Sequence, residues 1–138
     1  MTGRSDAQPS FRVLIVDDNE ALATTYAWLL EDAGFVVETC YNGAEALARV
    51  DAFHPDILLL DIGMPVMDGL QLCTMLRAND TWKGLALVAQ SGYGDDGMRE
   101  RTAEAGFDRH LVKPIEFDDL LKTLQEVMAE RRGSEARP

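Results

Sequence analysis

Apolar residues along this chain fall into short unbroken runs, separated by longer segments with helical spacing. Val13-Leu14-Ile15-Val16, Ile57-Leu58-Leu59-Leu60 and Leu85 to Ala89 show no alternation, as expected of strands buried on both faces. Val36 to Cys40 is more polar, which predicts an edge strand, and His110 to Val112 is a short fifth strand. Between the first two runs, Leu22, Tyr26, Leu29, Leu30 and Ala33 fall on one helical face, and Gly34 stops the helix. Asn42-Gly43 turns the chain into a short helix from Ala44 to about Val50. Asp68 reads as the N-cap of a third helix that ends near Ala78, with Leu72, Cys73 and Leu76 inward. A fourth helix, to about Ala105, is weakly apolar, with Met98, Thr102 and Ala105 inward. The last runs from about Glu116 to Arg131 and presents Phe117, Leu120, Leu121, Leu124, Val127 and Met128.

Strands and helices that alternate at short spacing predict an α/β domain: a parallel sheet, helices on both faces, right-handed crossovers. The doubly wound (βα)5 arrangement with strand order 2-1-3-4-5 suits these runs, because it makes strands 1, 3 and 4 central and strand 2 an edge. We expect one domain over residues 11–131, a flexible arm over 1–10 and a loose tail over 132–138. Trp28 lies off the inward stripe and Trp82 lies in a loop; both are expected to be partly buried.

The net charge of −11 over 138 residues changes the picture of partners. Too few Lys and Arg are available to neutralise phosphates, so neither nucleic acid nor an anionic membrane is an expected partner. No apolar run approaches the roughly 20 residues that span a bilayer, and Met1 to Ser10 lacks the apolar core of a signal peptide. A cytoplasmic protein is the expectation. Cys40 and Cys73 form neither a disulfide framework nor, with His54 and His110, a metal-ligand spacing. Both thiols read as small core residues.

Candidate chemistry collects just past the strands. Asp17 and Asp18 follow strand 1, Asp61 follows strand 3, Ser91 strand 4 and Lys113 strand 5. In a parallel sheet these ends share one edge, and in the order 2-1-3-4-5 strands 1 and 3 meet at the switch point, where ligands bind. Three carboxylates there call for a cation. Oxygen ligands without His or Cys suit Mg2+. Lys113 can reach an anionic group, Ser91 can donate a hydrogen bond to it, and Asp61 can act as a nucleophile that forms an aspartyl-phosphate.

The acid pair Asp17-Asp18, the run Leu60-Asp61-Ile62-Gly63-Met64-Pro65 with Met67-Asp68-Gly69, then Ser91-Gly92 and Lys113-Pro114 stand in an order and spacing that resemble the receiver domain of two-component response regulators. The likeness covers about residues 11 to 130. It implies a signalling switch more than an enzyme, with Mg2+-dependent self-phosphorylation and slow self-dephosphorylation. Asp61 would take a phosphoryl group from the phosphohistidine of a sensor kinase or phosphotransfer protein. Asp18 would bind Mg2+ directly, Asp17 directly or through water, and Asp61 with the Gly63 carbonyl would complete the ligands. Lys113 would pair with phosphoryl oxygens and Ser91 would swing in to them. The family couples that swing to an aromatic residue where this chain has His110, a polar ring that can titrate. Gly63 and Tyr93 occupy positions that tune phosphate lifetime, and the Lys113-Pro114 bond is often cis in the family. The short end after the fifth helix suggests a stand-alone receiver whose output is a contact with a downstream protein. That contact, or a weak homodimer, would use the fourth helix, fifth strand and fifth helix.

Two other readings are weighed beside this one. A pseudo-receiver, an interaction module that takes no phosphate, is disfavoured by the complete acid set and Lys113. A flavodoxin-like flavin or nucleotide binder shares the strand order, but Asp17-Asp18-Asn19-Glu20 is too acidic for a phosphate loop. Gly92, Gly94 and Gly97 spell G-x-G-x-x-G, yet in the fourth βα unit and with Asp95 and Asp96 inside it, which would repel a pyrophosphate.

Overall fold

The computed structural model describes residues 11–64, 66–92 and 97–135. Strands β1 (Arg12–Val16), β2 (Val36–Cys40), β3 (Ile57–Asp61), β4 (Ala86–Ser91) and β5 (Arg109–Val112) alternate with helices α1 (Glu20–Asp32), α2 (Gly43–Phe53), α3 (Gly69–Ala78), α4 (Met98–Ala105) and α5 (Phe117–Glu135). The strands form one parallel sheet in the order β2-β1-β3-β4-β5. This is the doubly wound, flavodoxin-like architecture that the apolar runs predict.

Strand parity divides the core into two layers. Leu14 and Val16, Leu58 and Leu60, and Leu87 and Ala89 face α2, α3 and α4, where Val50, Phe53, Leu72, Leu76 and Met98 meet them. Val13 and Ile15, Ile57 and Leu59, and Ala86 and Val88 face α1 and α5, against Tyr26, Leu30, Leu120, Leu124 and Val127. Each fully buried aliphatic side chain contributes about 1.5–3 kcal/mol by leaving water. Extending the second set by one step of two along each strand reaches Asp17, Asp61 and Gln90. The polar residues of the sheet's carboxyl edge are thus assigned to the α1/α5 face by the same parity that builds the core.

Three helices begin on side-chain caps. The carbonyl oxygens of Asn19 and Asn42 accept from the N–H groups of Leu22 and Glu45, and Asp68 forms a reciprocal capping box with Gln71. Asn19, and not the acid pair before it, caps α1. The connection from β3 to α3 is tight. Val66, fully exposed, holds φ at +68°, a left-handed conformation that costs a residue with a Cβ roughly 1–2 kcal/mol. Gly69 then lets the start of α3 lie on the strand end, since a Cβ there would meet Ile62 Cα at 2.7 Å and the Asp61 carbonyl oxygen at 2.9 Å.

Some expectations differ from the structure. Leu29 is 40% exposed and Trp28 is 69% exposed, because Ala23, Tyr26 and Leu30 alone form the buried stripe of α1. Trp82 does pack against the core. Helix α2 continues to Phe53, whose ring fills the core, and α5 continues through Gly133 to Glu135. Ser91 belongs to β4 and not to the loop after it. Cys40 and Cys73 are buried, and burial raises their thiols to about 12 and about 11. No helix among the described residues is long and apolar enough to cross a membrane.

Gly69→Ala should lower stability by roughly 1–3 kcal/mol, the range for overpacking against backbone. Urea unfolding checks this; an unchanged midpoint at constant slope would refute the close approach of α3 to Asp61.

Candidate functional site

The carboxyl edge of the sheet carries the acid cluster. Asp17 leaves β1 fully buried, and Asp61 ends β3 at 6% exposure, whereas Asp18 is exposed. One carboxylate oxygen from each of Asp17, Asp18 and Asp61 lies within 4.8 Å of the others. The Asn19 N–H donates to Asp17 Oδ1 at 2.9 Å, and the Gly63 N–H donates to Asp61 Oδ1 at 2.9 Å. Both carboxylates are therefore held by the backbone two residues on, and their loops are shaped around them.

Lys113 reaches across from the end of β5. Its Nζ lies 3.3 Å from Asp17 Oδ2 and 3.3 Å from Asp61 Oδ2. The peptide bond from Lys113 to Pro114 is cis. Two unit charges about 4.8 Å apart repel by roughly 3–4 kcal/mol at an effective dielectric near 20, so one ammonium between two carboxylates is a strong organising contact. Burial raises the Asp17 carboxyl above its ordinary value, and Asp61 adds to the rise; the Asn19 N–H and Lys113 offset it only partly. Burial pulls the Lys113 ammonium the other way, but Asp17 and Asp61 outweigh it and its pKa is raised. Burial thus prevails at Asp17, whereas at Lys113 two opposite charges overcome it.

Three carboxylates and one ammonium leave two negative charges uncompensated. The donors are all hard oxygens, with one exposed acid at the mouth, and this set fits a divalent cation such as Mg2+.

Ser91 is turned elsewhere. Parity sends its side chain to the α4 side of the sheet, where its Oγ lies 2.6 Å from His110 Nε2. His110 Nδ1 lies 3.2 Å from Thr102 Oγ1, and that hydroxyl donates to the Arg99 carbonyl at 3.0 Å. Thr102 has spent its only proton, so Nδ1 is the donor to it; in the neutral ring Nε2 then accepts the Ser91 hydroxyl. Ser91 thus stands at the strand end but is turned away from the acids, its proton committed to His110, and it would have to swing to reach a group on Asp61. Gly63 is exposed, and a Cβ there would come no closer than 3.5 Å to Asp61 Oδ1, so the flank of Asp61 is open. Tyr93 lies outside the described residues. Reading the sequence missed Gln90, whose Nε2 donates to Asp17 Oδ2 at 3.2 Å. Its signal was parity with Asp61, beside which it is paired. Thr102 was read only as an inward residue of α4.

A parallel (βα)5 sheet with aspartates and a lysine gathered at its switch point defines a signalling receiver. Residues 13–125 match the response regulator receiver domain, and the chain belongs to that family, whose members act in two-component signalling. Receiver domains of this family are signalling switches. Among its relatives, transcriptional regulatory protein PrrA of Mycobacterium tuberculosis is 38% identical over 125 residues, 91% of this chain and 52% of that protein. Response regulator MprA of Mycobacterium bovis is 35% identical over 130 residues, covering 92% and 54%. The chain spans about half the length of the curated relatives it matches. Among solved structures, chemotaxis protein CheY4 of Vibrio cholerae superposes with a TM-score of 0.80 at 32% identity, covering 86% of this chain and 98% of that one. The signal receiver domain of a response regulator from Bermanella marisrubri gives the same TM-score, identity and coverage.

The raised Asp17 carboxyl makes a signed prediction for protein in chelator. Its folded pKa lies above the unfolded value of 3.8, so its contribution to stability is fully present below that value and is lost as pH rises through the folded value. The stability of wild type minus that of Asp17→Asn should therefore grow as pH falls from neutral, measured by urea unfolding. A difference that is flat or shrinks over that range would contradict the assignment.

Proposed function

We propose that this receiver takes a phosphoryl group onto Asp61, in the presence of Mg2+, from the phosphohistidine of a sensor kinase or phosphotransfer protein. The observation that carries this reading is Lys113 bridging Asp17 and Asp61 at 3.3 Å each. A cation already stands between the nucleophile and its neighbour, where a phosphoryl group would bring new negative charge. Asp61 Oδ forms the new O–P bond as the P–N bond to the donor imidazole breaks, and the imidazole leaves with the bonding pair. Asp17, Asp18, Asp61 and the Gly63 carbonyl would hold Mg2+, which supplies charge neutralisation on the phosphoryl oxygens. Lys113 follows the charge from the Asp61 carboxylate to those oxygens.

Ser91 and His110 form the switch in this reading. A phosphoryl oxygen competes with His110 Nε2 for the Ser91 hydroxyl, and the ring then loses its partner on that side. His110 also lines a cleft of about 320 Å3 between α4, β5 and α5, with Arg99, Val112, Lys122 and Glu126. A change at Ser91 thereby reaches a surface fit for a downstream protein or a second copy. A second, apolar cleft of about 510 Å3 lies beside Lys113, walled by Leu22, Tyr26, Leu29, Ile115 and Phe117. It suits a donor protein that must approach Asp61 closely, with Leu29 among its walls. Gly63 and Tyr93 stand as the residues that set phosphate lifetime.

Incubation of the full chain with Mg2+ and acetyl phosphate, followed by intact mass, tests the reading. We expect a gain of one phosphoryl group, absent in chelator and absent in Asp61→Asn. A wild type that gains nothing, or an Asp61→Asn variant that gains as much, would sink it.

A further inference from the structure

Gln90 is the anomaly of the sheet. The four β4 residues before it, Ala86 to Ala89, are all apolar, and Gln90 is as fully buried as they are. A buried amide is unfavourable unless both of its ends are bonded. Its Nε2 donates to Asp17 Oδ2 at 3.2 Å, but its Oε1 has no partner among the described residues. The orientation is forced: the Asp17 carboxylate only accepts, so the NH2 end must face it and the carbonyl end must be the unpaired one. A methionine or leucine of similar volume would fill this position without leaving an acceptor stranded. Nothing in the packing of β4 calls for a glutamine.

The site does. Asp17 Oδ1 takes the Asn19 N–H, and Oδ2 takes both Gln90 and Lys113. Lys113 in turn divides two of its hydrogens between Asp17 and Asp61. Gln90 pairs with Asp61 across β3 and β4 and shares its face of the sheet, and its amide touches the cluster at Asp17. Carboxylates that hold metals are themselves fixed by hydrogen bonds from a surrounding shell. Mg2+ keeps several of its waters, and those waters are strong donors.

We propose that Gln90 is a positioning residue for the cation site: its amide N–H fixes Asp17 Oδ2, and its stranded Oε1 accepts from a water of the hydrated cation. This inference rests on the Mg2+ site of the reading above. It assigns this chain a buried glutamine that serves the cation at a cost to the unliganded fold.

The test is calorimetric titration of Mg2+ into the unphosphorylated full chain, wild type against Gln90→Met, with urea unfolding of both in chelator. Without Mg2+ the variant should stay close to wild type in stability, since removing the stranded acceptor offsets the lost bond to Asp17 Oδ2, which keeps Lys113. Its Mg2+ affinity should fall by about 10-fold or more, the range for lost outer-shell partners. A purely structural glutamine would give the opposite pattern, lower stability with Mg2+ affinity within about 2-fold of wild type, and would overturn the proposal. If Gln90→Met does not fold, Gln90→Asn keeps an amide but withdraws it by one methylene, and the same loss of affinity is expected. Wild type that binds Mg2+ and takes phosphate, while the variant binds equally, would overturn this inference alone. Wild type that binds no Mg2+ would overturn both.

Discussion

Two aspartates and a lysine hold the carboxyl edge of this sheet together. Lys113 lies 3.3 Å from an oxygen of Asp17 and 3.3 Å from one of Asp61, and it thereby ties the ends of β1, β3 and β5 into one charged group. Without a cation between them, a fully buried Asp17 and a nearly buried Asp61 would repel each other across a space with little water. The fold therefore carries its own counter-charge, but an incomplete one. Asp18 remains at the mouth, and two negative charges remain unanswered. A site in that condition could hold a divalent cation.

The geometry follows from a period of two. The alternation that sorts Val13 from Leu14, or Ile57 from Leu58, into opposite core layers also sends Asp17, Asp61 and Gln90 to one face and Ser91 to the other. Ser91 is thus next to the cluster along the chain but separated from it by the sheet's own pleat. His110, one strand over, takes its hydroxyl and connects it to Thr102 on α4. The two faces of the sheet edge differ in kind: one gathers charge, and the other holds the hydrogen-bonded chain from Ser91 through His110 to Thr102.

Much of this was legible from residues alone. Continuous apolar runs marked the strands because both faces are covered, and Asn42, Asp68 and Gly34 marked helix ends by their own side-chain chemistry or lack of a Cβ. Asp17, Asp18 and Asp61 could be brought together because the order 2-1-3-4-5 makes strands 1 and 3 neighbours, and Lys113 because the ends of a parallel sheet's strands share one edge. What failed depended on tertiary detail. Leu29 was misread because helical period does not say how wide the buried stripe is; Trp28 does lie off that stripe, as read, but it is more exposed than expected. The orientation of Ser91 required knowing that it is the last residue of β4, and so on which side of the pleat it falls. Gln90 was passed over because a single polar residue at a strand end looks like the start of a loop; its parity with Asp61 was the one signal in the sequence, and its burial and its bond to Asp17 make that signal decisive.

The claim that Lys113 is the built-in counter-charge has a direct measurement: a double-mutant cycle on stability between Lys113→Met and Asp61→Asn, run in chelator. Partners in direct contact couple by about 0.5–3 kcal/mol, and a favourable coupling in that range is expected, diminishing when Mg2+ is added and shares the carboxylates. Additive effects of the two substitutions in chelator would contradict the account, because Lys113 would then stand near Asp61 without holding it.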